Sequence, residues 1–514
     1  MHVRSNLIFS WTIVIAIGVA AAYFPALRHG LLYNSIPLCC IGFVVILCAR
    51  FQHYCSYGRI VMAMTLVAAC FNAYNYLHYG VRMEFDSKEY YSLAQGIASS
   101  RGMGHTAYRT PLYPALVGVF MLIGDHRGLC IVLLQHILVA LCVPGVFAAA
   151  RTFGFSQRAS CIAAVFIALN SLLVQSSGFI MTEILFCVLS LLSIALLVRT
   201  IQSPSVRLSI YTAAAFAAAT YCRPMLAPVL TGGLVLLWIK KGKRGVVMAL
   251  LCLGVYCAAL APWCLRNYVS FGHYTMSASL GVQAFTKAFT FQCLDEQGPS
   301  YTRIKPMLSN CIQDLGISPA AVPKIPEDDW RINRVPHALM DSLTIRHGYS
   351  YFAASDLLGK TAIEGISAYP WRWALSIGQS FSTLAFSHRE LFPDAGQLVP
   401  PALFEKSPLL RRIANGLVYV SGYVLLLFPL AVFIRADKNR AVLIPFAIVC
   451  GMYVLTAAVQ IGFTRYTLPW EPLKMLCAAY VVESLVIGLR TNVIPHSRSE
   501  WRRVHPIFQN LFFE

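Results

Sequence analysis

Charged residues are scarce in this 514-residue chain: 12% are Asp, Glu, Lys or Arg, while 57% are hydrophobic. A soluble domain carries about a quarter charged residues, so a water-solvated globule is excluded. Acidic residues are the scarcer kind, 22 against 41 basic ones, which leaves a formal charge of +19. No basic patch is interleaved with exposed aromatics, so the excess does not point to nucleic acid. Basic residues gathered in short cytoplasmic loops account for it instead. Metal-ligand spacing of His, Asp and Glu on one helix is also missing; no cofactor is named, and a divalent cation is left open. Gly102 and Gly104 do not follow a strand in a βαβ unit, which excludes a dinucleotide fingerprint. Neither a repeat of about 20–50 residues nor a low-complexity tract is present.

Long apolar runs are what the chain does have. They fall at about 7–27, 31–49, 60–78, 127–150, 160–177, 183–198, 208–222, 224–239, 246–262, 413–434, 441–461 and 468–488. Runs of this kind cross a bilayer as helices and are too long and uniform for barrel strands. The expected fold class is an all-α polytopic membrane protein with about 12 transmembrane helices. The first run, after Arg4, reads as an anchor rather than a cleaved signal.

With the N-terminus inside, "RTFGFSQR", "RTIQSPSVR", "KKGKR", "RADKNR" and the basic tail all become cytoplasmic, as the positive-inside bias requires. Residues 79–126, "SSGFIMTE", "YCRPM", about 263–412 and "FTRYTLPWEP" then face outward. The expected organisation is an N-terminal bundle over 1–262 that includes the external loop 79–126, an extracytoplasmic segment over 263–412, further spans over 413–489 and a cytoplasmic tail over 490–514. The 263–412 segment reads as a folded lid on the membrane surface, with many aromatics and amphipathic pieces such as "WRWALSIGQSFSTLAF". It also holds Cys293 and Cys311, which could pair if the segment lies outside the cytoplasm. The other cysteines are mostly scattered singly along apolar runs, where they act as small hydrophobes.

The chemistry-bearing residues cluster in the first external loop, "MEFDSKEYYSLAQGIASSRGMGHTAYRTPLYPAL". "DSKEYYSLAQGI" has helical spacing: Asp86 shares a face with Tyr90, and Glu89 with Leu93. "GMG" breaks that helix, and "YRTPLYP" favours an extended or turning path before each proline. Arg109 therefore returns on a loop that can approach Asp86. The bland alternative has Asp86 merely capping its helix. Tyr90 and Tyr91 read either as interface aromatics or as sugar-stacking residues, and His105 as a structural or surface group. At the other outward helix ends stand Glu183, Arg223, Arg266 and Arg465. An ionisable group at a span's mouth is costly unless paired or functional, although a lone Arg there can simply snorkel. Arginines converging at one interface suit a phosphate, to which guanidinium makes paired hydrogen bonds.

In order along the chain, "D…EYYSLA", "YRTPLYP", "TEILF", "RP", "PWCLRN" and "RYTLP" resemble the glycosyltransferase C superfamily. The branch they look most like is that of the bacterial dolichyl-phosphate-mannose protein mannosyltransferase relatives, which includes the lipid A aminoarabinose transferase. The likeness runs from about Asp86 to Pro469 and leaves out the two helices before residue 60. It implies an integral-membrane hexosyl- or pentosyltransferase using a polyprenyl-phosphate sugar donor in the cell envelope. It makes Asp86 the catalytic acid, Glu183 the second acid and Arg109 the contact to the donor phosphate. Arg223, Arg266, Arg465 and Tyr90 join them as substrate-binding candidates. The aminoarabinose branch carries Lys in "KPPL" where this chain has Arg109, a departure that keeps the phosphate role.

The implied reaction is a single inverting displacement, with Asp86 as general base toward a protein, lipid A or glycan acceptor. The site would face the outside of a bacterial inner membrane, where nucleotide sugars are absent. A polysaccharide polymerase or ligase is the rival reading. A transporter is less consistent, because the charges sit at helix ends rather than at mid-bilayer.

Overall fold

The computed structural model describes residues 56–83, 85–104, 107–317, 330–386, 427–429, 431–432, 442–460 and 466–493. Among them the regular structure is helical, and extended backbone pairs once, at a bridge between Arg82 and Phe179. The helices of the first half are α1 (Tyr57–Tyr79), α2 (Phe85–Ala98), α3 (Leu112–Leu122), α4 (Leu129–Thr152), α5 (Gln157–Ala168), α6 (Ser171–Ser176), α7 (Glu183–Gln202), α8 (Val206–Cys222) and α9 (Ala227–Phe271). Then follow α10 (Ser279–Thr290), α11 (Pro299–Asp314), α12 (Trp330–Asp341), α13 (Tyr351–Ala368), α14 (Pro370–Phe386), α15 (Leu443–Val459) and α16 (Glu471–Val493).

Among the described residues four stretches are long and apolar enough to cross a membrane: α1, α4, α7 and Pro224–Phe271. The chain is a helical multi-pass membrane protein. Of the expected runs, 7–27 and 31–49 lie outside the described residues and 413–434 lies largely so. The run expected at 160–177 is not a single helix. It breaks after α5, where the Asn170 side chain accepts from the Leu173 amide and caps α6 instead of continuing the spiral. The two runs expected at 224–239 and 246–262 both lie largely within α9, but the chain reverses inside it. Gly242 has φ +55, which glycine alone adopts at little cost. A Cβ on Gly245 would overlap the Leu237 carbonyl, a contact that a straight helix could not make eight residues along. The "KKGKR" turn is thus the tip of a helical hairpin.

Two large hydrophobic cores result among the described residues. The larger joins α1, α4, α5, α7, α8, α9, α15 and α16 around Phe153, Phe186, Phe216, Trp470 and Tyr480. The smaller belongs to the segment after α9: Val282, Phe285, Ile304, Leu308, Leu339, Leu343 and Leu358 bring α10 to α13 together. Cys293 and Cys311 do not pair. Both are free, buried thiols in different clusters, so apolar packing takes the place of a bridge.

The ends of the bundle differ in charge. Lys241 Nζ donates to the Gln202 carbonyl (3.1 Å) and Arg244 Nη2 to that of Pro204 (2.8 Å), placing cations on the C-terminal end of α7. Glu183 begins the 20-residue α7, about 30 Å from its other end at 1.5 Å per residue. The acids that the motifs singled out sit at that opposite end.

Candidate active site at one end of the bundle

The first loop is built of two helices, one more than its prolines suggested. The extended path ends at Pro111, and α3 begins at Leu112. Pro114 falls in its first turn, where the amide has no intrahelical partner to lose. Gly118 lets α3 cross α2 closely, since a Cβ there would press on the Ala94 carbonyl at 3.2 Å and on Ile97. Between the helices the chain turns through Gly102 (φ +67) and Gly104 (φ +59), and this return carries Arg109 over the N-terminal end of α2.

There Arg109 meets the face that Asp86, Glu89 and Tyr90 share by helical spacing. Its Nη2 donates to Asp86 Oδ1 at 2.8 Å. Its Nε donates to Glu89 Oε2 at 2.8 Å, and that same oxygen lies 2.6 Å from Nη2. Nη1 donates to the Tyr90 hydroxyl at 3.2 Å. The rings of Tyr90 and Tyr108 each stand 4.8 Å from the guanidinium carbon, a double cation–π contact. Burial alone would lower the Arg109 pKa, but Asp86, Tyr90, Glu89 and Tyr108 outweigh it and hold the guanidinium well above its ordinary value. Burial raises both phenols against the lowering effect of Arg109, so Tyr90 and Tyr108 are neutral hydroxyls rather than bases at neutral pH.

A second pair lies beside the first. Arg223, just after α8, places Nη2 2.5 Å from Glu183 Oε1 and Nε 2.6 Å from Thr182 Oγ1. Glu183 is buried at the N-terminus of α7, where the helix dipole favours a carboxylate, and its Oε2 has no hydrogen-bond partner among the described residues. Thr110 Oγ1 donates to the Cys222 carbonyl at 2.8 Å, tying the Arg109 loop to the end of α8. Tyr90 sits between the pairs, within electrostatic range of Arg109, Arg223, Asp86 and Glu183.

The segment after α9 closes over this end. Ser277 Oγ donates to the Tyr108 carbonyl (2.7 Å), Ala278 N to the Ala107 carbonyl (2.8 Å) and Gln283 Nε2 to the Tyr108 hydroxyl (3.1 Å). The rings of His337 and Tyr351 lie 6.1 and 6.4 Å from that of Tyr108.

Asp86, Arg109, Tyr90, Glu183 and Arg223 therefore converge. Asp86 is no mere cap, because its carboxylate is turned to Arg109. Tyr90 is not an interface aromatic; it is buried, and its ring packs edge-on to Tyr113 at 5.3 Å. Arg266 has a different partner. Its Nη2 donates to the Gly104 carbonyl at 2.6 Å and its guanidinium stacks on Trp263 and Phe271, so it fastens the glycine turn. Arg465 and His105 lie outside the described residues. Sequence reasoning gave no role to Glu89, although its position one turn after Asp86 was a signal, and none to Tyr108, Gln283 or His337, whose meeting depends on distant segments. Among the described residues no group of three or more His, Cys, Asp or Glu side chains could hold a metal ion.

Residues 108–265 match the model of the family described as dolichyl-phosphate-mannose-protein mannosyltransferase. No curated protein matches the chain significantly. Among solved structures, the archaeal oligosaccharyltransferase AglB from Archaeoglobus fulgidus, in complex with an inhibitory peptide and a dolichol-phosphate, is 12% identical with a TM-score of 0.46. The alignment covers 87% of this chain and 53% of that one, so the chain spans about half the length of this relative. ArnT from Cupriavidus metallidurans in the apo state is also 12% identical, with a TM-score of 0.34 over 83% of this chain and 77% of that one. The same protein bound to undecaprenyl phosphate gives 0.32 at 12% identity, over 84% and 77%. At such scores these likenesses bear on neither activity nor substrate. The resemblance to the glycosyltransferase C superfamily rests on the family match over residues 108–265, which contains Arg109, Glu183 and Arg223.

Proposed function

We propose that the protein is an integral-membrane glycosyltransferase that takes its sugar from a polyprenyl-phosphate donor and uses Asp86 as general base. The observation that carries this reading is the meeting of Asp86 with Arg109 (2.8 Å) at one end of an apolar bundle, beside the Glu183–Arg223 pair. The donor's tail lies in the bilayer and its phosphate at the interface. The Asp86 carboxylate removes the proton from an acceptor hydroxyl as that oxygen attacks the anomeric carbon. The bond from this carbon to the phosphate oxygen breaks, its electron pair leaves with the polyprenyl phosphate, and the anomeric centre inverts. Arg109 stabilises the charge that develops on the leaving phosphate. Glu183 holds Arg223 in place next to this centre. The reacting end faces the extracytoplasmic side of a bacterial inner membrane, opposite the basic turn at Lys241 and Arg244. The sugar is a hexose or pentose, and the acceptor is a protein, lipid A or a glycan.

Transfer from synthetic polyprenyl-phosphate sugars by the purified protein in nanodiscs tests the proposal, with acceptors drawn from the envelope glycans and lipids that change when the gene is deleted. Asp86→Asn keeps the shape and removes the base. Transfer should fall by about 10²–10⁴-fold, the usual share of general base catalysis. An Asp86→Asn variant as active as the parent would refute the assignment.

A further inference from the structure

Arg109 is a committed cation in this structure. The Tyr90 and Tyr108 rings each stand 4.8 Å from its guanidinium carbon. The edge formed by Nε and Nη2 is already taken by a single oxygen, Glu89 Oε2, at 2.8 and 2.6 Å. That oxygen blocks the edge at which a guanidinium makes paired hydrogen bonds to a phosphate. Two further guanidiniums at this end are engaged as well: Arg223 with Glu183, and Arg266 with the Gly104 carbonyl. Two carboxylates, Asp86 and Glu89, share Arg109. Asp341 lies close enough that partial desolvation first, and Glu89 next, push its carboxyl above the ordinary range. A phosphate brought to Arg109 would meet the Asp86 and Glu89 carboxylates on the same guanidinium.

The two partners of Arg109 are not equivalent. The Asp86 side chain is 20% exposed and that of Glu89 38%. Among the described residues the Glu89 side chain accepts from Arg109 alone, and its greater exposure leaves it room to turn toward solvent while α2 stays in place. We propose that Glu89 is a stand-in for the donor phosphate: it occupies the Nε–Nη2 edge of Arg109 before the donor binds and leaves when the phosphate of a lipid-linked sugar takes its place. Asp86 stays on Nη2 throughout, so the base and the phosphate site are held by one guanidinium. Glu89 is thus a positioning residue that sets donor affinity. This rests on the donor-phosphate role given to Arg109 above.

The test is a titration of undecaprenyl phosphate against the full-length protein in phosphatidylcholine nanodiscs, read by native mass spectrometry. Glu89→Gln and Glu89→Ala remove the competing charge. Each should bind about tenfold tighter, a fraction of the full Coulomb interaction because the carboxylate is partly solvated. Structural damage would weaken binding instead. Arg109→Ala should abolish binding. If both Glu89 variants bind no more tightly than the parent while Arg109→Ala loses the lipid, the stand-in is overturned and the phosphate role of Arg109 stands. If Arg109→Ala binds as the parent does, the donor-phosphate reading itself falls, and the inference with it.

Discussion

The Glu183–Arg223 pair is the sharpest test at the scale of single residues. Glu183 is 2% exposed and its second oxygen already lacks a partner. Removing the guanidinium with Arg223→Met leaves a buried carboxylate with no compensation. The loss should be about 3–5 kcal/mol, seen as a lower unfolding temperature in detergent, and a compensating Glu183→Gln in the same chain should recover much of it. A variant as stable as the parent would mean that the pair contributes nothing to the bundle end. The sequence made this residue set partly readable. Glu183 and Arg223 stand at helix ends, where a charge is costly, and that cost made them visible, whereas Asp86 and Arg109 stood out by clustering in one polar loop. Glu89 was overlooked because an acid on an amphipathic surface helix is ordinary until the chain returns to face it. Arg266 shows the converse: conspicuous at a helix end, it binds a backbone carbonyl.

Between elements, α10 and α13 approach very closely. A Cβ on Gly281 would overlap the Ser355 carbonyl, and one on Gly359 would lie 3.2 Å from the Gly281 Cα. Gly281→Ala should pry these helices apart. Because Ala278 and Gln283 of the same stretch bind Ala107 and the Tyr108 hydroxyl, the change should also raise amide hydrogen exchange around Tyr108. Exchange confined to α10 and α13 would show the two regions to be independent. Periodicity and run length told where α1, α4, α7 and the 224–262 hairpin lie, because a membrane-crossing helix must be about twenty apolar residues long. They did not reveal α3, which starts between two prolines, or the break at Asn170. Those depend on which backbone amides find partners, and this is decided by neighbours distant in sequence.

On the scale of the whole molecule, the acids Asp86, Glu89 and Glu183 and the basic Lys241–Arg244 turn stand at opposite ends of helices about 30 Å long. Cysteines introduced at the exposed positions Ser99 and Lys243 should therefore react from opposite sides of sealed vesicles. Each is read against the parent, whose Cys70, Cys130 and Cys257 are exposed. Labelling of both from one side would overturn the two-ended arrangement. The second core, with its own apolar residues from α10 to α13, was legible only as a folded polar segment, since its helices are too short and mixed in character to declare their partners. Its grip on Tyr108 sets one of the two phenol rings beside Arg109, and that hold has a consequence. A cation crowded by two aromatic rings offers an oxyanion fewer directions of approach. By holding one of those rings, the second core ties the shape of the anion's berth to a part of the chain far along the sequence.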